Sequence, residues 1–437
     1  MAAAVDDSAL VRHMLAVEAA LARASAAHGL VPAGAAEQIA AACTSVRPDH
    51  DELRRGVIGS ATPVIALVGA VRAVLPPDVA AHVHRGATTQ DVVDTAVVLA
   101  LRDALSLLGA ALADAASAAA SLAARYRDTV LAGRTLLQQA SPTTFGLKAA
   151  GWAVELHDAA GRIAAARDDR LSVQLGGAVG TLAALGPDAL AIADGFADEL
   201  GVRRSPLPWH TRRDRIIDVA AAVATGAAAC EKVAVDVILL AQTEVGEVRE
   251  RPIDGGGGSS TLPQKRNAAG SVGVRVAARR ALDGAGALVA HPPHEHERAA
   301  GAWQLEWATL RDLLLAAHAA ATRTACVLDS LEVDVERMAA NLRATGGATL
   351  AESLSAVLGD VIGWGPAQEV VRQAVARAAA SDRSLRDELL DHDAVRGAVS
   401  TTMIDEALDP ERYLGMAGAL VDRALAAVAP VDSEVTP

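Results

Sequence analysis

Apolar residues recur at helical spacing through the first part of the chain. Between residues 8 and 42 they return every three or four positions, and the pattern is broken at His28-Gly29 and again at Val31-Pro32. Glycine and proline at such points end helices and begin turns. The pattern therefore predicts two short helices and a helical N-terminal domain.

Longer helical patterns follow in the middle of the chain. They cover about residues 92–126, 144–170, 213–250, 269–289 and 300–328, and several exceed the usual helix length. After residue 328 the helical patterns are shorter, with breaks at Gly346-Gly347, 363–366 and Asp409-Pro410. We predict an all-α fold of three helical domains: residues 1–95, a central bundle of long helices over 96–335, and residues 336–437.

The composition supports helices and excludes one class of partner. Of the 437 residues 51% are apolar, largely alanine, and 2% are aromatic, which favours close-packed helices over a β-sandwich or barrel. A formal charge of -13 argues against nucleic acid as a partner, because nucleic-acid binders present a net basic face. An anionic substrate must then be held by local cations.

The cysteine spacing and the N-terminal residues indicate the cellular compartment of the protein. Cys43, Cys230 and Cys326 are far apart and lack CxxC spacing, so we expect reduced core residues and neither a disulfide framework nor a metal site. The N-terminus carries acidic residues where a signal peptide has its positive region, which predicts a cytoplasmic protein. The apolar stretch 105–124 contains Asp114 and much alanine, so we expect burial in a bundle and no membrane partner.

Short polar segments between the helical patterns hold much of the reactive chemistry. Four glycines at 255–258 precede Ser259 and Ser260, and Lys265 and Asn267 follow. Such glycines permit large backbone motions and leave amide groups for an anion. A plain flexible linker is the alternative, whereas a standard phosphate-binding P-loop is excluded because its GxxxxGK[ST] spacing is absent.

Five segments, in order along the chain, resemble those of the fumarase/aspartase superfamily. The string GSSTLPQKRN resembles its signature GSSxMPxKxNP, HRGATTQDVVDT resembles HxGxTSxD, and GRTLLQQASPTTFG resembles GRTHxQxAxPTTFG; QLGGAVGT and HER are similar to later segments. The resemblance runs from about residue 17 to residue 427. It implies an all-α lyase or cycloisomerase that needs no metal and no organic cofactor.

The reaction of that superfamily suits the residues of the signature segment. Its members remove a proton next to a carboxylate while a leaving group departs from the neighbouring carbon, or run the reverse addition. The charge that develops needs preorganised cations and amide donors. The resemblance implies that Ser259 is the catalytic base, activated by loop amides and nearby cations, and that Lys265 and Asn267 stabilise the intermediate.

The resemblance also implies a set of substrate-binding residues. They are His84, Thr88, Thr89, Gln90, Thr135, Gln138, His210, Arg213 and Ser260. Helix capping, loop hydrogen bonding and a solvated basic helix start are the structural alternatives for these residues. Arg215, His296 and Glu297 either support the site from behind or are structural. Trp303 and Trp307, four apart on one helix face, are expected in a core or an interface.

One departure from the superfamily pattern bears on the leaving group. Leu136 stands where most members have a histidine that protonates or positions that group. A weakly basic leaving group such as a carboxylate or nitrite departs without a proton, whereas hydroxide or an amine needs an acid. Leu136 therefore favours lactone chemistry, while Ala268, Leu262 and Gln264, which replace usual signature residues, leave the substrate open.

Three strings narrow the resemblance within the superfamily. GATTQDVVDT, PWHTRRDR and HEHERAAGAW look most like the 3-carboxy-cis,cis-muconate cycloisomerase branch, which implies a small anionic di- or tricarboxylate substrate. A lyase acting on a succinate derivative such as nitrosuccinate, an adenylosuccinate lyase-like enzyme and an inactive structural relative stay open as alternatives. The resemblance further implies a homotetramer whose active sites each combine residues of three chains.

Overall fold

The structure is a computed structural model of one chain and describes residues 1–251, 261–262, 264–291, 293–381 and 383–429. These residues form eighteen α-helices, three short 3-10 helices and four short β-strands, which confirms the predicted all-α class. The chain divides into two compact units. Unit 1 comprises residues 1–112, 159–228 and 276–321, and unit 2 comprises residues 113–158, 229–275 and 322–437. The three-domain boundaries stay a prediction.

Five long helices have residues in both units. They are α7 (Thr89–Arg125), α8 (Phe145–Arg170), α10 (Asp214–Leu240), α11 (Ala269–Ala290) and α12 (Ala302–Asp329). Unit 1 also contains α1 (Ala2–Val5), α2 (Asp7–Ala27), α3 (Ala33–Ser45), α4 (His50–Ser60), α5 (Val64–Ala73), α6 (Pro77–Ala80) and α9 (Ala189–Leu200).

Unit 2 holds the strands and the C-terminal helices. The strands are β1 (Val130–Thr135), β2 (Gln138–Thr144), β3 (Val248–Glu250) and β4 (Leu331–Val333), and each of the two sheets is an antiparallel pair. The helices are α13 (Val335–Arg343), α14 (Ala351–Ile362), α15 (Trp364–Ala379), α16 (Leu385–Leu390), α17 (Thr401–Ala407) and α18 (Ala417–Val428). Breaks at Gly346-Gly347 and Gly363 lie where the sequence predicted them.

The N-terminal helices form as their sequence indicates. Asp6 caps α2, since its carboxylate accepts a hydrogen bond of 2.7 Å from the amide of Ala9. The helix ends at Ala27, and Gly29 takes a φ of +71° in the turn that leads to α3. The apolar faces of these helices pack with the start of α7 and with α9 into one buried cluster, so unit 1 has its own core.

One long pattern ends earlier than predicted. The apolar periodicity continued to residue 250, but α10 stops at Leu240 and the chain turns through Gly246, whose φ is +64°. Residues 248–250 then pair with β4 as β3. Val245 and Val248 are three positions apart, which continues the helical spacing, but pairing with β4 decides that residues 248–250 form a strand.

A β-hairpin joins the segment GRT to the segment QQASPTT. Thr135 and Gln138 are the last paired residues, and Leu136 and Leu137 form the two-residue tip with φ values of +51° and +64°. Positive φ at both positions defines a type I′ turn, which normally selects Asn and Gly. Leucine is strained there, and Leu136 is 97% exposed. The sequence did not predict this hairpin.

Two composition predictions have outcomes in the structure. Helix α7 is long and apolar enough to cross a membrane by length and composition, and 56% of its most apolar window is buried, as in the core helices of globular proteins. Cys43 and Cys230 are buried and free, as predicted. Cys326 is also free, but it is exposed, so the prediction of a core position is wrong there because its side chain lies on the outer face of α12.

Candidate active site

Three polar segments meet at the N-terminus of α7, in unit 1, around the buried carboxylate of Asp91. Its Oδ2 atom accepts hydrogen bonds from the amides of Thr88 and Gly177, each 2.9 Å long. Its Oδ1 atom accepts from the amide of Gly176 at 3.0 Å and lies 2.6 Å from Nε2 of His210. Asp91 thus caps its own helix and joins HRGATTQ, QLGG and PWHTRR.

The glycines of QLGG are required for this close approach. A Cβ atom on Gly176 would lie 2.6 Å from Cε1 of His210 and 2.8 Å from Cβ of Pro208. Gly177 has a φ of +65°, which a side chain would strain, and a Cβ there would lie 3.0 Å from the carbonyl oxygen of Gly86. The two glycines therefore allow three loops to pack backbone to backbone.

A second buried carboxylate one turn further along α7 holds an arginine. Arg213 donates to both oxygens of Asp94 through Nη1 at 2.9 Å and Nη2 at 3.1 Å, and it also binds both oxygens of Glu306. The indole of Trp303 donates to Asp94 at 2.9 Å, and the guanidinium lies 4.9 Å from the ring centre of Trp209. Two carboxylates thus engage Nε, Nη1 and Nη2 of this arginine.

Two further residues connect these layers. Gln90 donates to Asp94 at 3.0 Å and to the carbonyl oxygen of His210 at 2.9 Å, and it accepts from Arg298 at 3.2 Å. Arg298, the arginine of HER, also donates to the carbonyl oxygen of Gly177 at 2.6 Å. The fourth polar segment is thereby attached to the other three.

His84 lies in the loop before α7 and pairs with Glu18 of α2. Its Nδ1 atom is 2.6 Å from Oε1 of Glu18, and its backbone has a φ of +64°. Burial opposes a charged ring, but the hydrogen bond and the charge of Glu18, with the charge of Asp91, outweigh it and raise the pKa of His84. Thr88 and Thr89 are half-buried at the start of α7.

The hairpin residues lie in unit 2. Arg134 donates to both oxygens of the buried Glu247, at 2.8 and 2.7 Å, and Asn341 donates to the same carboxylate at 2.8 Å. This bidentate pair fixes the strand that ends at Thr135. Thr135 and Gln138 themselves are exposed, one on each side of the leucine tip.

Of the signature segment, Lys265 and Asn267 are described, and both are exposed. The predicted base Ser259 and its neighbour Ser260 lie outside the described residues. Glu250 precedes this segment and accepts hydrogen bonds from the amides of Gly270 and Ser271, at 2.8 and 2.9 Å, at the N-terminus of α11. The Glu250 carboxylate therefore links β3 to the start of α11, and its negative charge is stabilised by the positive N-terminal end of that helix.

The residues with uncertain roles differ in their surroundings. Arg215 stacks on Trp209 and donates to Ser172, and burial lowers its pKa. His296 and Glu297 are exposed, in the segment that carries Arg298. Trp303 and Trp307 make an edge-to-face contact with ring centres 4.9 Å apart, and Trp303 belongs to the core of unit 1, as predicted for this pair.

Several residues of this network were not singled out from the sequence. Asp91, Asp94 and Thr95 lie three and four positions apart on the buried face of α7. Such a row of polar residues on an otherwise apolar helix indicates a buried polar site and could have identified them. Arg298 lies in the HER string, but only His296 and Glu297 of that string were singled out, and Glu18 gave no comparable signal because it is a single charged residue in a helix. Within the described ranges, no group of three or more His, Cys, Asp or Glu side chains is arranged to hold a metal ion.

Two family models match the chain. A family described as "Lyase" matches residues 1–282, and one described as "Adenylosuccinate lyase C-terminus" matches residues 347–424. The first match contains four of the motif segments and the PWHTRR string, while HER, which carries Arg298, lies beyond residue 282.

Individual relatives match over almost the whole length. A 3-carboxy-cis,cis-muconate cycloisomerase of Pseudomonas aeruginosa is 43% identical over 98% of this chain and 94% of its own. A nitrosuccinate lyase of Streptomyces davaonensis is 42% identical over 97% and 91%. The crystal structure of 3-carboxy-cis,cis-muconate lactonizing enzyme from Pseudomonas putida superposes with a TM-score of 0.90 at 39% identity, over 97% and 95% of the two chains.

The double pairing of Arg213 predicts a large cost for a conservative change. Arg213→Lys keeps one charge but cannot bind two carboxylates bidentately, which leaves Asp94 or Glu306 buried and poorly paired. We expect a loss of about 3 kcal/mol in the free energy of unfolding, measured by urea denaturation at neutral pH.

The control for that change is Arg372→Lys, since Arg372 pairs with Glu369 on the exposed surface and should lose less than about 1 kcal/mol. Burial would raise the pKa of Glu306, but the nearby ring of His294, with Nε2 3.3 Å from Oε1, and the hydrogen bonds from Arg213 outweigh it and lower the pKa. The contribution of Glu306 to stability is therefore present at neutral pH and is lost as pH falls through that lowered value. The cost of Arg213→Lys should shrink over the same range. Equal losses in the two variants would contradict this account.

Proposed function

Because the chain belongs to the fumarase/aspartase superfamily of lyases, we propose that it interconverts 3-carboxy-cis,cis-muconate and its carboxymuconolactone. The observation that carries this proposal is Leu136 at the exposed hairpin tip, in a chain 43% identical to a cycloisomerase that acts on this compound. Leucine cannot protonate a leaving group. A carboxylate, the leaving group in lactone opening, needs no such proton.

In the lactonising direction a carboxylate oxygen of the substrate forms a bond to an alkene carbon. The electron pair of the double bond moves to the carbon next to a second carboxylate, which gives an enediolate-like intermediate. Ser259 delivers a proton to that carbon, and the reverse reaction returns the proton to Ser259. Lys265 and Asn267 stabilise the charge on the carboxylate oxygens.

Substrate carboxylates need cations and donors that are not already engaged. The raised pKa of His84 favours its charged form beside Thr88 and Thr89, and we assign these three to substrate binding. His210 and Arg213 were predicted to bind substrate, but their donors contact Asp91, Asp94 and Glu306. We assign them to positioning the loops instead.

Nitrosuccinate is the second candidate substrate. The specific observation in its favour is the nitrosuccinate lyase of 42% identity over 97% of this chain, close to the value for the cycloisomerase. Nitrite is also a weakly basic leaving group, so Leu136 suits both reactions. The two reactions share the proton-transfer step assigned to Ser259, and they differ in the bond broken at the neighbouring carbon.

We further propose a cytoplasmic enzyme that needs no cofactor and works as a homotetramer, with each active site assembled from three chains. The support is the full-length similarity to the superfamily and the placement of the predicted site residues in three separate segments, 84–90, 135–138 and 259–267.

An ultraviolet assay tests the reaction. Purified protein is mixed with 3-carboxy-cis,cis-muconate, nitrosuccinate or adenylosuccinate, and we expect loss of the diene absorbance of muconate. Ser259→Ala should lower kcat/KM by about 100- to 10,000-fold, the usual contribution of a positioned base.

Ser121→Ala is the matched control, because Ser121 is exposed on α7 and, among the described residues, its hydroxyl bonds only to the carbonyl oxygen of Ser117. Turnover of nitrosuccinate alone would keep the mechanism and replace the substrate. Full muconate turnover by Ser259→Ala would contradict the role of Ser259.

Mixing two inactive variants tests the shared active site. His84→Gln and Ser259→Ala should each form tetramers by light scattering and be inactive alone. Refolding them together should restore about a quarter of the normal activity. That fraction of sites takes residue 84 from a chain in which His84 is intact and residue 259 from a chain in which Ser259 is intact. A fully active monomer, or no recovery from a confirmed mixed tetramer, would contradict the shared site.

A further inference from the structure

A fully buried carboxylate on helix α2 pairs with His84. Glu18 lies on α2, with no exposed side-chain surface, and its Oε1 atom is 2.6 Å from Nδ1 of His84. Its other oxygen, Oε2, is buried and has no hydrogen-bond partner among the described residues. The apolar residues around it belong to the main core of unit 1.

Such an arrangement is expensive for the fold. An ionised carboxylate in an apolar core, with one oxygen unsatisfied, costs free energy that an apolar residue at position 18 would avoid. Removing the partner of a buried charge is worse still, so the pair depends on both members. The benefit to the protein must then lie in what the carboxylate does to His84.

The pair determines which ring nitrogen can contact a ligand. Nδ1 is held by Glu18, so Nε2 is the nitrogen left to donate, and the part of the chain described here offers it no hydrogen bond. The His84 side chain is 17% exposed, which leaves an accessible edge. A carboxylate behind a histidine in this way fixes its tautomer and orientation, as it does behind metal-bound histidines.

We propose that Glu18 is a positioning residue that holds the His84 ring through Nδ1 and keeps its Nε2–H available as a donor to a substrate carboxylate. This inference rests on the substrate-binding role proposed above for His84. Glu18 contacts no substrate and acts only through the ring.

The charges around His84 fix the expected pH dependence. Glu18 on α2 and Asp91 on α7 favour the charged ring, whereas burial and Arg72 on α5 oppose it, and the pKa is raised on balance. The pair therefore stabilises the fold below the ordinary histidine pKa and loses that contribution as pH rises through the raised value. Substrate binding that uses the charged ring should weaken over the same rise in pH.

Two measurements on Glu18→Gln test the proposal in the full-length protein. With 13Cε1-labelled histidine, and His84→Gln to assign the signal, the titration midpoint of His84 should move to lower pH. In steady-state assays with 3-carboxy-cis,cis-muconate, KM should rise by about 10- to 100-fold, the effect of losing a charge-assisted hydrogen bond. The value of kcat should change by less than about threefold, since Glu18 does not take part in the proton transfer.

The double variant Glu18→Gln with His84→Gln should bind no worse than His84→Gln alone, because Glu18 acts through that ring. If Glu18→Gln does not fold, Glu18→Met, of similar volume and without charge, replaces it. An unchanged titration midpoint of His84 overturns the proposal without any substrate being known. A shifted midpoint with unchanged KM instead overturns the binding role of His84.

Discussion

The hydrogen bonds to the Asp91 carboxylate are the interaction on which the site in unit 1 depends. This buried side chain accepts hydrogen bonds from three backbone amides and contacts the ring of His210, and these groups belong to segments that are far apart in the sequence. Unpaired amides in a core cost about 1 to 3 kcal/mol each. Asp91 satisfies three of them at once, and it also fixes the first turn of α7, from which Thr88 and Thr89 project.

The other ion pairs of unit 1 are required because further carboxylates are buried in its core. Asp94 and Glu306 share the single positive charge of Arg213, and Glu18 is paired with His84. An anionic substrate would be repelled by unpaired carboxylates at such sites. The pairing reduces that repulsion, and it gives Nε, Nη1 and Nη2 of Arg213 partners within the protein.

Helix positions were largely predictable from the sequence. The patterns 144–170, 269–289 and 300–328 match α8, α11 and α12 within two residues, because long apolar periodicity reports a buried helix face directly. The end of α10 and the hairpin at Leu136 were not predictable in this way. The end of α10 depends on the pairing of β3 with the distant strand β4, whereas the hairpin is local but has Leu136-Leu137 where Asn and Gly are usual.

The candidate site was likewise predictable in part from the sequence. Short motif strings predicted which segments carry the chemistry, and HRGATTQ, QLGG and PWHTRR do lie together. The residues that hold them, above all Glu18 and Arg298, are single charges whose partners are set by the tertiary fold. The sequence therefore predicted His210 and Arg213 as ligand contacts, while the structure gives their donors internal partners.

Hydrogen exchange of Asp91→Asn, compared with Asp103→Asn at a half-buried position of α7, tests the central role of Asp91 most directly. The account predicts that the amides of Gly176 and Gly177 exchange about tenfold faster or more in Asp91→Asn, together with faster exchange in segments 84–89 and 208–212, and no change in α14. The same protection of Gly176 and Gly177 in both variants would contradict it.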